Sequence, residues 1–171
     1  MLEISAEIVE KQSERSKDEI FDNFLFQPGY ATPKIDIRAA VVNNEKILLV
    51  QERLDQRWSM PGGWADVGEF PSEAIIRETK EESGFDVKPI KIIGIFDANR
   101  GGRPIEFFHA YKIIFLCELF GGEAKPSYET TAVDFFQFDQ LPPLSINRTN
   151  HQHLDEIQKH LTDPNRLPFF D

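Results

Sequence analysis

The chain has 171 residues, 40% of them hydrophobic with 15 Phe, and a formal charge of −10 at pH 7. That length suits one domain plus an appendage with a real apolar core. Without a Lys/Arg stripe, the acidity excludes proteins that grip nucleic-acid backbones or anionic membranes with basic side chains. Cys117 stands alone, so no intramolecular disulfide forms; inside the apolar run Ile113 to Leu119 it reads as a small buried hydrophobe. No apolar run reaches the roughly 18 residues of a membrane span, and the acidic N-terminus MLEISAEIVEK is unlike a secretion signal, so a cytoplasmic protein is expected.

In chain order, Ile4, Ile8 and Val9 among polar neighbours predict a first short helix. Ser16 and Glu19 read as a capping box for a second, which carries Ile20, Phe21, Phe24 and Leu25. Gln27 to Pro33 breaks that pattern and predicts a linker. Residues 1–31 are therefore expected to form a helical appendage and residues 32–171 the main domain. Lys34 to Val42 and Lys46 to Glu52 predict a hairpin turning at Asn43-Asn44. Pro71 can start a helix and Gly84 can end one, which predicts a helix from Pro71 to Ser83; Phe70 is a poor cap before it. Val87 to Asp97, Glu106 to Leu119 and Val133 to Phe138 predict strands, and Asn150 to Leu161 a closing helix.

The helix from Pro71 carries the chemistry. At about 100° per residue from Ala74, Glu78, Glu81 and Glu82 share one arc of roughly 100°. Ile75, Ile76, Thr79 and Ser83 are expected against the core, and Glu73, Arg77 and Lys80 toward solvent. Like charges at these spacings repel by a few tenths of a kcal/mol per pair, a cost that a bound divalent cation reverses. Just upstream, Met60-Pro61-Gly62-Gly63-Trp64 offers backbone that can approach a ligand closely and a bare carbonyl as a further oxygen ligand. Carboxylate oxygens and a glycine carbonyl suit a hard cation such as Mg2+, which completes its shell with water and phosphate.

Gly63, Glu69, Arg77, Glu78, Glu81, Glu82 and Gly84 stand in register with G-x5-E-x7-R-E-U-x-E-E-x-G-U, where U is a bulky aliphatic residue, so the segment resembles the Nudix box. Thr79 and Phe85 depart from the pattern at its aliphatic positions. Further segments, Thr32 to Ala40, Trp58 to Asp66, His109 to Gly122 and Asp139 to Ser145, resemble a bacterial group of ADP-ribose and CDP-choline pyrophosphatases. The resemblance implies an α/β fold, a Nudix α/β/α sandwich around a mixed sheet, and a homodimer formed with help from the N-terminal segment. It implies Mg2+-dependent hydrolysis, with Mn2+ as a substitute, of a nucleoside diphosphate linked to another moiety.

On that resemblance Glu78 and Glu82 are expected as main metal ligands, Glu81 as a third or as one acting through water, and Gly62 as a carbonyl ligand. Arg77 would orient a carboxylate and Glu69 would support the loop. The general base is either Glu81 or Glu129. Arg38, Arg53, Arg100, Arg103 and Lys112 are the candidates to meet phosphates, Arg38 foremost, and Trp64, Phe108, Tyr111 or Tyr128 to stack on base or ribose. His109 reads as a structural histidine. Two other functions fit the same sequence: a housecleaning pyrophosphatase acting on nucleoside triphosphates, and an inactive nucleotide-binding regulator, which the intact set of box glutamates argues against.

Overall fold

The computed structural model describes residues 16–18, 32–98 and 109–170. The chain separates into two units, Met1–Thr32 and Pro33–Asp171, and the architecture is that of the second. The expected N-terminal helices lie outside the described residues but for Ser16, Lys17 and Asp18. So do Arg100, Arg103 and Phe108, in the segment 99–108.

Among the described residues, the second unit has seven strands and two helices: β1 (Lys34–Asn43), β2 (Lys46–Glu52), β3 (Trp58–Ser59), α1 (Pro71–Ser83), β4 (Phe85–Asp97), β5 (Ala110–Gly122), β6 (Thr130–Gln137), α2 (His151–Thr162) and β7 (Phe169–Phe170). The sheet runs β3-β2-β1-β5-β4-β7, with β6 also on β2. It is mixed: β1 pairs parallel with β5 and β4 with β7, while the other pairings are antiparallel.

β1 is covered on both faces, as its apolar run Ala39 to Val42 requires. Ile37, Ala39 and Val41 pack with Ala74 and Ile75 of α1, and Ala40 on the opposite face packs with Leu154 and Ile157 of α2. Each fully buried aliphatic side chain contributes about 1.5–3 kcal/mol, so the two helices clamp the sheet through two separate apolar layers.

The hairpin turns at Asn44 and Glu45, not at Asn43-Asn44: both have positive φ, 49° and 62°. This two-residue turn matches strand twist and leaves Asn43 paired with Lys46. α1 begins at Pro71 after Phe70, which supplies no side-chain cap, and stops at Gly84 with φ 80°. Ile76, expected in the core, is 40% exposed because it lies at the rim of the apolar arc. The buried hydroxyls of Thr79 and Ser83 donate to the carbonyls of Ile75 and Thr79 one turn back. β4 starts two residues earlier than expected and β6 three, and the short strands β3 and β7 carry too few residues for a periodic signal. No helix among the described residues is long and apolar enough to cross a membrane.

α2 is fastened at its start and along its length. Asn150 and His153 cap its start reciprocally, and the buried carboxylate of Glu156 at its middle pairs with Arg166 and Lys159. His160 is 1% exposed, and neither ring nitrogen makes a hydrogen bond of normal geometry. Burial, reinforced by Lys91 and Arg166, holds its pKa below the usual histidine value; Glu156 and the Ile93 backbone offset this only in part. The unfolded chain therefore takes up this proton first, and stability is lost as pH falls below about 6.5. His160→Phe is expected to flatten the loss of Tm between pH 7 and pH 5, read by thermal unfolding; an unchanged pH slope would show that another group sets it.

Candidate active site

The loop Pro61 to Ala65 lies along the first half of β1, before its short pairing with β2. Ala39 N–H donates to Pro61 O at 2.9 Å, Ile37 N–H to Gly63 O at 2.8 Å, and Ala65 N–H to Ile35 O at 3.0 Å. Gly62 has φ 138°, and a Cβ there would stand 2.1 Å from the Ile37 carbonyl, so only glycine permits this approach. The reward is a backbone N–H aimed at α1: Gly62 donates to Glu82 Oε2 at 2.8 Å. A Cβ on Gly63 would meet Glu78 Oε2 at 2.9 Å. Loop and helix thus bring two carboxylates onto the floor of a cleft of about 780 Å³.

Glu82 is buried. Desolvation raises its pKa to about 8, with Glu52 and Glu78 adding to the rise and Arg38 and the Gly62 amide opposing it. Burial also raises Glu78, against the pull of Arg77. Glu81 is more exposed. Arg77, expected on the solvent side, reaches across the acids instead. Its guanidinium forks onto Glu69 with two bonds of 2.9 Å and reaches Glu78 Oε1 at 2.8 Å and Glu81 Oε2 at 3.3 Å. The bonds to Glu69 do most to hold Glu69 below and Arg77 above their ordinary pKa values.

Arg38 lies on the cleft floor, but its guanidinium is committed. Nε donates to Asp36 Oδ1 at 2.9 Å and Nη1 to Met60 O at 3.2 Å. Burial works against its charge and is outweighed by Asp36, Glu82 and Glu52; Arg38 therefore acts on Glu82 as a fixed neighbouring cation. Lys112, expected to meet phosphate, is 1% exposed. Its Nζ donates to Asp36 Oδ2 at 2.7 Å and to the carbonyls of Asn147 and Arg148 at 3.1 and 2.7 Å, which turns it away from ligand. Arg53 also fails to line the cleft, its guanidinium being bonded to carbonyls of the segment Ser127 to Thr130. Trp64 is 49% exposed at the rim, and Glu129 and Tyr128 line the same cleft. His109, about half exposed, lies 3.2 Å from Asp97.

Two cleft residues escape sequence reasoning. Glu52, buried at the end of β2, receives the Ser59 hydroxyl and pairs with Arg148 at 3.2 Å. A register shift between Gln51 and Glu52 breaks the strand's alternation, so period-two reading misplaces this acid.

The cleft-lining residues offer carboxylate oxygens and no His or Cys, a donor set that fits a hard cation such as Mg2+. Among the described residues no three acidic groups are drawn to ligand spacing, since Arg77 holds Glu78 and Glu81 while Gly62 holds Glu82. The raised pKa values of Glu78 and Glu82 come first from burial, and neighbouring carboxylates add to the rise.

The NUDIX domain family matches residues 33–157. The chain is 36% identical over 171 residues to YjhB of Bacillus subtilis (strain 168), named a candidate ADP-ribose pyrophosphatase, across 100% of this chain and 82% of that protein. It is similar to the crystal structure of an ADP-ribose pyrophosphatase from Streptococcus suis 89-1591, at 38% identity and TM-score 0.73, covering 82% of this chain and 100% of that one. It is also similar to the crystal structure of a UDP-X diphosphatase, at 32% identity and TM-score 0.77, covering 97% of this chain and 80% of that one.

Proposed function

Because the chain belongs to the Nudix family, we propose that its cleft hydrolyses the diphosphate of a nucleoside diphosphate joined to a second moiety, with ADP-ribose or CDP-choline as the substrate. The products are a nucleoside monophosphate and the phosphorylated second moiety. The observation that carries this reading is the meeting of the Gly62 loop with the carboxylates of α1 at the cleft floor. ADP-ribose is supported by the relatives from Bacillus and Streptococcus, and the UDP-X relative keeps the diphosphate while leaving the base open.

Glu78 and Glu82, with Glu81 and the Gly62 carbonyl, would hold the metal. Mg2+ bound there, or Mn2+ in its place, would supply neutralisation of the diphosphate and an acidified water. Arg77 keeps Glu78 and Glu81 oriented through its anchor on Glu69. Glu81 or Glu129 accepts the proton of the attacking water. Two copies joining through residues 1–31 belong to the same reading, on the resemblance alone.

The test is product analysis by chromatography with ADP-ribose, CDP-choline, UDP-sugars and nucleoside triphosphates, each with and without Mg2+. AMP with ribose 5-phosphate from ADP-ribose, or CMP with phosphocholine from CDP-choline, is expected. Pyrophosphate from triphosphates alone would move the protein to the housecleaning class, and binding without turnover to the regulator.

A further inference from the structure

Arg53 follows β2 and spends its guanidinium on one short segment of backbone. Nε donates to Tyr128 O at 2.6 Å, and Nη2 lies 3.4 Å from the carbonyls of both Ser127 and Thr130. The Arg53 N–H adds a bond to Glu129 O at 2.8 Å. Four consecutive carbonyls, 127 to 130, are thus gathered by one residue.

The other flank of that segment is tied to α1. Thr130 Oγ1 donates to the backbone carbonyl of Glu82 at 2.9 Å and accepts the Ser127 N–H at 2.8 Å. Ser127 Oγ accepts the N–H of Glu129 at 3.0 Å and of Thr130 at 3.2 Å. The segment is therefore fixed between β2 and the residue whose side chain takes the Gly62 N–H. To the cleft it presents Ser127, Glu129 and Tyr128, the last 90% exposed. Tyr128 offers an uncovered aromatic face on a firmly bonded backbone at the cleft, which suits stacking of a planar base.

We propose that Arg53 is a positioning residue: it holds the segment Ser127 to Thr130 so that Tyr128 meets the base of the substrate and Glu129 meets the water that attacks its diphosphate. This rests on the nucleoside diphosphate reading of the cleft. A planar three-carbonyl fork is a task for guanidinium, and an ammonium on a flexible stem meets only part of it.

The experiment has one readout that needs no substrate. Amide hydrogen exchange on the intact chain should show residues 127–130 exchanging at least about tenfold faster in Arg53→Ala, with α1 unchanged, and an intermediate gain in Arg53→Lys. Unchanged exchange in both variants overturns the positioning role whether or not ADP-ribose is hydrolysed. The second readout is a double-mutant cycle on whichever diphosphate the wild type turns over. Arg53→Ala is expected to lower kcat/KM about tenfold to a hundredfold, but less than about twofold further in the Tyr128→Ala/Glu129→Gln background. Equal losses in both backgrounds would mean that Arg53 acts elsewhere and would sink the proposal. Should Arg53→Ala fail to fold, Arg53→Lys carries both readouts.

Discussion

Glu82→Gln is expected to lower turnover by roughly a hundredfold to a thousandfold at saturating Mg2+, while leaving the Tm of the metal-free protein within about 2 °C of wild type. The two halves of this result have one origin. With its pKa raised to about 8 by burial and by Glu52 and Glu78, Glu82 carries a proton at neutral pH in the absence of metal. Glutamine copies the shape and neutrality of that state and can still accept the Gly62 N–H. It cannot become the anion that a divalent cation requires. The rise in Tm that Mg2+ brings to the wild type should therefore vanish with the activity, measured by thermal unfolding with and without Mg2+. Turnover near wild type would show that the metal is held by other residues. A large fall in the metal-free Tm would mean instead that Glu82 is ionised there and needed for folding.

The helix from Pro71 was legible because its signals are local. Proline at the first position, glycine just past the end and a 3.6-residue period all act within the segment itself, and α1 has the expected bounds. The roles of the cations were harder to read because their partners are far away in the chain. Arg53 meets carbonyls 74 to 77 residues on, and Lys112 meets Asp36 across 76. A usable signal was nevertheless present. Asp36, Arg38 and Lys112 interrupt strands that are otherwise apolar, and such charges at core positions are tolerated only when they satisfy one another. Arg77 was misplaced for another reason: a helical wheel gives direction, whereas a guanidinium on a long stem can return across its own helix to Glu78 and Glu81.

Lys112→Met should decide between the two uses of a lysine. Its Nζ is buried against Asp36 and the carbonyls of Asn147 and Arg148. Methionine keeps most of the apolar stem and removes the charge. Burial alone would raise the Asp36 pKa, and Arg38 and Lys112 together hold it below the ordinary carboxylate value; the substitution leaves Arg38 to do this alone. Breaking a buried pair on one side costs about 3–5 kcal/mol, or roughly 6–20 °C in Tm for a domain of this size. The cleft should suffer as a consequence, because the freed carbonyls of Asn147 and Arg148 no longer hold their loop, and Arg148 is the partner of Glu52. Loss of stability and loss of kcat/KM are therefore expected together. A lysine that served to bind phosphate would behave otherwise: KM would rise while Tm stayed put, and that outcome would return Lys112 to the substrate.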